Sequence, residues 1–182
     1  MSAPTDHVAI IGAGTSTLVG DLVAAGYRLL HAVDISDVAL AQLRTSLGDG
    51  ADAVNYTRAD MRKVTFDEPV DVWHDRAALH FLTERADQAA YAARAAAAVR
   101  PGGHAVLAVF SPVGPEQCSG LPVTRHSPSS LAELMGDGFT LLESFEQDHR
   151  TPWGTDQRFL HALLERNGTA PRTSGEQPSP GG

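Results

Sequence analysis

Two reactive side chains are almost absent from the sequence, which contains one cysteine, Cys118, and one lysine, Lys63. A single cysteine excludes an internal disulfide framework and lacks the clustered partners that a metal site requires. The 14 basic residues are outnumbered by 22 acidic ones, which leaves a formal net charge of −8. Phosphate binding needs clustered cations, and the basic residues are scattered, so we expect no nucleic-acid partner. The lone cysteine leads us to expect no metal either.

Long apolar stretches are also missing from the sequence. No run approaches the roughly 18 residues of a membrane-spanning helix, and no basic segment followed by an apolar one opens the chain. We therefore expect a cytoplasmic protein without a membrane partner. The 182 residues suffice for one domain, expected over residues 1–166. Residues 167–182 are too poor in apolar side chains to pack, and we expect a disordered tail there.

Apolar runs of strand length alternate with helical patterns along most of the chain. This alternation is typical of an α/β fold in which helices cover both faces of a mainly parallel sheet. A long loop rich in Pro, Gly and Ser is expected over residues 111–126. Strands are predicted at 7–11, 28–34, 52–60, 70–75, 104–110, 139–149 and 157–166, and helices at 17–26, 36–47, 84–100 and 127–136.

A glycine turn and two acids follow the first three predicted strands. The turn, Gly12-Ala13-Gly14, lets a ligand approach the backbone at the start of a helix. Asp34 ends the second strand, where a carboxylate can accept hydrogen bonds from both hydroxyls of a ribose. Asp60 ends the third, where it can accept one from an exocyclic amine such as that of adenine. Because ligands of open α/β sheets bind at this edge, the series predicts a nucleotide-like cofactor.

With these residues in place, the sequence resembles the class I S-adenosylmethionine-dependent methyltransferases over residues 8–165. The segments that carry the resemblance are "IIGAGTS", "AVDIS", "RADM", "VDVWHDRAALHFL" and "VRPGGHAVLAVF", in the order of the family's motifs. The resemblance implies a Rossmann-like three-layer sandwich. Its seven-stranded, mostly parallel sheet has the order 3-2-1-4-5-7-6, and the last two strands form an antiparallel hairpin.

The resemblance also assigns roles to residues of this chain, with S-adenosyl-L-methionine as the cofactor. It implies that the glycine turn lies beneath the methionine part, that Asp34 holds the ribose and that Ile35 packs on the adenine. Asp60 and Met61 would contact the edge of the adenine. The residues after the fourth strand, Asp75, Arg76 and His80, would contact the methionyl group and the acceptor.

Two features depart from the family's usual pattern. Ile10 stands two residues before the first glycine, where relatives usually carry an acid that fixes the cofactor's amino group. The chain also begins almost at the first strand, whereas most relatives have preceding helices that cover the site. We expect a trimmed form, an unusually open site, or a lid supplied by another segment, a partner or a second copy in a homodimer.

Acceptor-binding residues are expected in the loops at the same edge of the sheet. His80 is the candidate general base, because a histidine can take a proton near neutral pH. Three arginines would suit a carboxylate on the acceptor. No substrate domain is inserted, which favours a small-molecule acceptor at an O, N or S atom. The candidates are Arg76, His80, Cys118, Arg125, His126, His149, Arg150 and Trp153.

Two other hypotheses are compatible with part of the pattern. A nicotinamide-dependent oxidoreductase would share the glycine turn and Asp34, but its third glycine is replaced by Thr17. A Tyr-x-x-x-Lys pair is excluded because Lys63 has no tyrosine four residues before it. The other hypothesis is a methyltransferase-like scaffold without activity, motivated by Ile10 and the missing lid.

Overall fold

The protein is described by a computed structural model that covers residues 3–151 and 154–168. Seven strands form one sheet in the order β3-β2-β1-β4-β5-β9-β8, and β6 and β7 form a small separate hairpin. The predicted order is confirmed, since β9 and β8 occupy the places expected for the seventh and sixth strands. The strands are Val8–Ile11, Leu30–Asp34, Val54–Arg58, Val70–Arg76, Val99–Phe110, Gln117–Cys118, Leu121–Pro122, Phe139–Arg150 and Asp156–Arg166.

Four α-helices connect the strands: α1 Thr17–Ala24, α2 Asp37–Leu47, α3 Arg85–Ala98 and α4 Pro128–Met135. Serine side chains cap three of them, since the hydroxyls of Ser16, Ser36 and Ser127 accept hydrogen bonds from first-turn amides. β1 to β5 run parallel, and β9 and β8 are antiparallel to their neighbours. None of the described helices is long and apolar enough to cross a membrane.

One face of the sheet is buried beneath α3 and α4. Side chains alternate between the two faces of a strand, and the odd-numbered residues of β4 and β5 point to this side. Trp73 and Leu107 are fully buried there and belong to the same apolar cluster as Tyr91 of α3 and Leu131 of α4. This cluster is the largest of the three apolar clusters of the described residues and anchors the middle of the sheet.

The opposite face is covered only in part by the described residues. α1 and α2 pack over β1 and β2, where Val19 and Leu40 contact the cluster that contains Ile10. Further along the sheet, the same face carries His74, Val106 and Leu163, which are only half-buried, and Phe145, which is 54% exposed. The described part of the chain therefore leaves the middle of this side open, whereas at its carboxyl end Ala108, Phe110 and Phe159 form a small buried cluster.

The helix predicted to run to residue 100 is shorter than expected. α3 ends at Ala98, and residues 99–103, including Pro101-Gly102-Gly103, belong to β5. Pro101 disfavours helical backbone at the residue before it, and Val99 already pairs with Val70 of β4. The register then shifts, so that Val72 pairs with His104. The remaining elements agree with the predictions to within about two residues at each end.

Two other sequence predictions concern the loop at 111–126, which is fully described, and the C-terminal tail, which is described only in part. The loop predicted at 111–126 contains the β6–β7 hairpin. Of the predicted tail, only residues 167 and 168 are described. Asn167 is held against the turn before β8, because its backbone amide donates to Gly138 and its side chain donates to Asp137. Residues 169–182 lie outside the described part, so disorder there stays a prediction.

Substitution of glycine by alanine at two positions should change stability in opposite directions. A Cβ at Gly103 would lie 2.7 Å from the Asp71 carbonyl oxygen and 2.8 Å from Val99 Cγ1. Gly103→Ala should therefore lower the free energy of unfolding by about 2 kcal/mol or more. Gly20→Ala, within α1, meets only Leu47 Cδ2 at 3.6 Å and should raise it by about 0.5–1 kcal/mol. Urea unfolding measures both, and equal effects would contradict this account.

Candidate active site

A cavity of about 410 Å³ opens at the carboxyl edge of β1 to β4. Five of the residues predicted from sequence line it together: Gly12, Asp34, Ile35, Asp60 and Met61. They meet because parallel strands end at the same edge of a sheet. Further lining comes from Val33, Ala59, Arg62, Ala77, Ala78, Phe81 and Leu82. The segment after β4 therefore forms the wall opposite the acids.

The glycine turn after β1 needs glycine at its first position. Gly12 has a φ of +62°, and a Cβ there would lie 2.7 Å from the Cβ of Ala78. Gly14 also has a positive φ, and its backbone N–H donates to Asp34 Oδ2 at 2.8 Å. The turn thus approaches the segment after β4 closely while it stays tied to β2.

Asp34 lies between the glycine turn and the start of α2. Its Oδ1 accepts a hydrogen bond from the backbone N–H of Ser36 at 2.8 Å, in addition to the bond that Oδ2 accepts from Gly14. A carboxylate has about four lone-pair positions, so two backbone bonds leave capacity for ligand hydroxyls. Next to it, Ile35 is 70% exposed at the wall of the cavity. A carboxylate beside an exposed apolar side chain suits a ligand that combines hydroxyls with a flat ring.

Asp60 is held by an arginine that the sequence analysis missed. The backbone N–H of Arg62 donates to Oδ1 at 2.8 Å, and its guanidinium pairs with the same carboxylate. Arg62 also pairs with Asp87 of α3. Hydrogen bonding from the Arg62 side chain lowers the pKa of Asp60 to about 2, so the carboxylate is ionised. The sequence signal for this pairing was an arginine in the turn, two residues after the acid.

A second cavity of about 440 Å³ adjoins the first, since Gly12 and Ala77 line both. The glycine turn forms one wall, including the predicted residues Ala13 and Gly14. The other walls bring together predicted residues from three distant segments: Arg76, Cys118 and His149. This part of the lining is completed by three residues that the sequence analysis did not single out: His74, Gln157 and Phe159.

Arg76 and His74 project from the open face of the sheet into this second cavity. The guanidinium carbon of Arg76 lies 6.0 Å from the centre of the Phe159 ring. Burial, followed by the nearby Arg76 charge, lowers the pKa of His74 to about 4, so His74 is neutral at pH 7. The ring of His149 lies edge-on to Phe159, with 6.2 Å between their centres.

Asp75 lies elsewhere than predicted, because it lines neither cavity. Its side chain points to the face beneath α3, is fully buried and accepts hydrogen bonds from the backbone of Ala78 and Leu79. The hydroxyl of Tyr91 also donates to it, and Trp73 Nε1 donates to Tyr91. Burial raises the pKa of Asp75 to about 6. The geometry gives Asp75 a structural role at the turn after β4 and no direct contact with a ligand.

His80 is likewise turned inward, away from both cavities. A short 3₁₀ turn, Leu79–Phe81, buries its ring completely between Phe81 and Phe110, with centre distances of 4.6 and 4.5 Å. Neither ring nitrogen has a hydrogen-bond partner among the described residues. Burial, followed by nearby His126, lowers the pKa of His80 to about 4. The predicted role as general base therefore does not fit this position.

The other candidate acceptor residues do not line the second cavity. Arg125 pairs with Glu116, and it lines a third cavity together with His126, away from the glycine turn. His126 is itself only 3% exposed. Arg150 is exposed and pairs with Asp156 at the end of the β8–β9 hairpin, at 3.6 Å. Trp153 lies outside the described residues.

Residues 8–103, just over half of the chain, match the family described as "Methyltransferase domain". The chain belongs to this methyltransferase family. No curated protein matches the sequence significantly. The position at which relatives usually carry an acid, Ile10, is only 2% exposed and packs in the core against α1 and α2. This methyltransferase therefore offers no carboxylate at that point.

Solved structures with the same fold support the assignment. One of them was described for the conversion of a disulfide bond into a thioacetal group during echinomycin biosynthesis. It is 21% identical with a TM-score of 0.76, and the match covers 91% of this chain and 78% of that one. An S-adenosylmethionine-dependent methyltransferase from Methanosarcina mazei is 14% identical with a TM-score of 0.75, and the match covers 91% of this chain and 94% of that one. A 1,6-didemethyltoxoflavin-N1-methyltransferase from Burkholderia thailandensis is 22% identical with a TM-score of 0.71, and the match covers 90% of this chain and 72% of that one.

The buried position of His80 predicts a pH dependence of stability. The unfolded chain takes up a proton at His80 near pH 6.5, whereas the folded protein takes it up near pH 4. The stabilisation is complete above pH 6.5 and is lost as the pH falls towards 4, by about 2–3 kcal/mol. The free energy of unfolding of the wild type, minus that of His80→Gln, should therefore rise with pH across this window.

The comparison with His80→Gln isolates this residue from other titrating groups. Asp75 acts in the opposite direction, because its raised pKa makes the folded protein less stable as the pH rises from about 4 to 6. Both proteins retain Asp75, so its contribution cancels in the difference. Urea unfolding from pH 4.5 to 7.5 provides the measurement. Parallel curves for the two proteins would show that His80 does not titrate differently on folding.

Proposed function

We propose that this protein is an S-adenosylmethionine-dependent methyltransferase that acts on a small-molecule acceptor. The observation that carries the proposal is the Asp34 carboxylate, held by two backbone amides at the edge of the first cavity. The second cavity adjoins the first at Gly12 and Ala77. A cofactor bound across this junction would have its adenosyl part in the first cavity and its reactive end towards the second.

The lining of the first cavity fits the adenosyl part of this cofactor. Asp34 would accept hydrogen bonds from the ribose hydroxyls, and the exposed Ile35 and Met61 would pack against adenine. Gly12 provides close approach to the backbone because any side chain there would collide with Ala78. Asp60, which lines the same cavity, would contact the exocyclic amine.

The second cavity would hold the acceptor. When bound, S-adenosylmethionine supplies an electrophilic methyl group on a sulfonium, whose C–S bond breaks as the bond to the acceptor forms. The walls of the cavity orient the acceptor for this in-line displacement, which is the main source of acceleration in such a reaction. His149, rather than His80, lines this cavity and would take a proton from the acceptor's nucleophile. S-adenosylhomocysteine would be the leaving group of this displacement.

Several observations support a small acceptor over a macromolecule. The second cavity is about 440 Å³ and is bounded by the glycine turn and by residues of β4, β6, β8 and β9 of the same chain. This volume is within the range of small-ligand pockets. One solved structure with this fold contains bound 1,6-didemethyltoxoflavin and S-adenosylhomocysteine, and another is a glycopeptide N-methyltransferase complexed with S-adenosylmethionine. The acceptor atom of this protein stays open.

Binding of S-adenosylhomocysteine tests the proposal directly. Isothermal titration calorimetry should give saturable binding by the wild type, and Asp34→Ala should weaken it about tenfold to a hundredfold, because charge-assisted hydrogen bonds to the ribose are lost. Asp37→Ala is the matched control, since it removes a nearby exposed carboxylate that pairs with Arg58 and does not line the first cavity. Its affinity should stay at the wild-type value.

Each outcome of this experiment has a distinct meaning. If the wild type fails to bind at millimolar concentration, the proposed function is wrong and a methyltransferase-like scaffold is the better hypothesis. If the wild type binds but Asp34→Ala binds equally well, the cofactor lies elsewhere. Thermal unfolding of each variant checks that lost binding does not reflect lost folding, since Asp34 also accepts the backbone bonds of Gly14 and Ser36.

A further inference from the structure

The lining of the second cavity has a charge opposite to that of the protein. The chain carries a net charge of −8, yet none of the residues that line this cavity is an aspartate or glutamate. The lining contains the arginine Arg76, the histidines His74 and His149, the thiol of Cys118 and the amide of Gln157. A cavity with one permanent positive charge and no negative one attracts anions.

Arg76 is the residue that gives the cavity its charge. Within the described part of the chain, it forms no salt bridge and no side-chain hydrogen bond. Its guanidinium lies by the Phe159 ring, and burial, followed by its charge, lowers the pKa of His74 and His161. The arginines at positions 58, 62, 100, 125, 150 and 158 all pair with carboxylates. A guanidinium has five N–H donors in a fork that matches a carboxylate or phosphate, so Arg76 has unused capacity for an anion.

The direction of the Arg76 side chain places this charge away from the glycine turn. Arg76 lies on β4, next to β1, but its guanidinium lies over Phe159, which belongs to β9. β5 separates β4 from β9 in the sheet, and neighbouring strands are about 4.8 Å apart. The charge therefore lies on the β9 side of β4, whereas the start of α1 follows β1 on the other side.

We propose that the methyl acceptor of this enzyme is a small anion whose carboxylate or phosphate group pairs with Arg76. This inference rests on the proposed function, because it assigns the second cavity to the acceptor. The Phe159 ring, which is only 5% exposed, supports the guanidinium from the wall of the cavity. Arg76 binds the negative group and so positions the nucleophile towards His149 and the junction with the first cavity.

A carboxylate can also come from the cofactor itself, whose methionine part carries one. The experiment must therefore separate the two sources. The first arm measures binding of S-adenosylhomocysteine and of 5′-methylthioadenosine, which lacks the amino-acid carboxylate. The wild type and Arg76→Gln should bind S-adenosylhomocysteine within about twofold of each other. A loss of affinity in Arg76→Gln that is confined to S-adenosylhomocysteine would assign Arg76 to the cofactor and overturn the proposal.

The second arm measures anion binding to protein saturated with S-adenosylhomocysteine. Two matched pairs serve as probes: benzoate against benzamide, and phenyl phosphate against phenol. The wild type should bind at least one anion about tenfold or more tightly than its uncharged partner, as expected for a charge-assisted pair with arginine. Arg76→Gln should abolish this preference, and Arg76→Lys should retain part of it.

Arg85→Gln is the matched control, because Arg85 is an exposed arginine at the start of α3 that does not line the second cavity. It removes the same charge from the protein and should leave the anion preference unchanged. If neither anion is preferred by the wild type, or if Arg85→Gln removes the preference as fully as Arg76→Gln, the proposal is wrong. Failure to bind S-adenosylhomocysteine in the first arm would instead overturn the proposed function.

Discussion

The edge of the sheet that carries the candidate site depends on the carboxylate of Asp34. Its two oxygens accept hydrogen bonds from the backbone of Gly14 and Ser36, which joins the turn after β1 to the start of α2. With the turn held in this way, Gly12 lies against Ala78 and separates the two cavities. The same carboxylate retains acceptor capacity towards the first cavity, so one group both organises the edge and offers a ligand contact.

The two faces of β4 explain why neighbouring residues have different roles. Trp73 and Asp75 point beneath α3 into the larger core, whereas His74 and Arg76 point to the face that the described residues leave open. A buried carboxylate at Asp75 is tolerated because Tyr91 and two backbone amides donate to it. Among the described residues Arg76 has no such partner, so its donors remain available to a ligand. A cover from a partner or second copy stays a prediction.

The structure and the sequence agree best where strand ends alone determine position. Gly12, Asp34 and Asp60 were expected to meet because each follows a parallel strand, and all three line one cavity. His80 was misplaced because its direction depends on the 3₁₀ turn after β4 and on the Phe110 ring, which a spacing argument does not include. Arg62 was missed because an exposed arginine in a turn is usually solvated, and here it joins Asp60 to Asp87.

By itself, the sequence determined the α/β order and the acids at the ends of β2 and β3. These depend on local periodicity, on turn residues and on the rule that parallel strands end at one edge. Only the tertiary structure decided which loop residues meet there. It brings Cys118 and His149 to the glycine turn beside Arg76, and it places Arg125 and His126 elsewhere. The reason is that side-chain direction and loop packing depend on contacts between residues far apart in the chain.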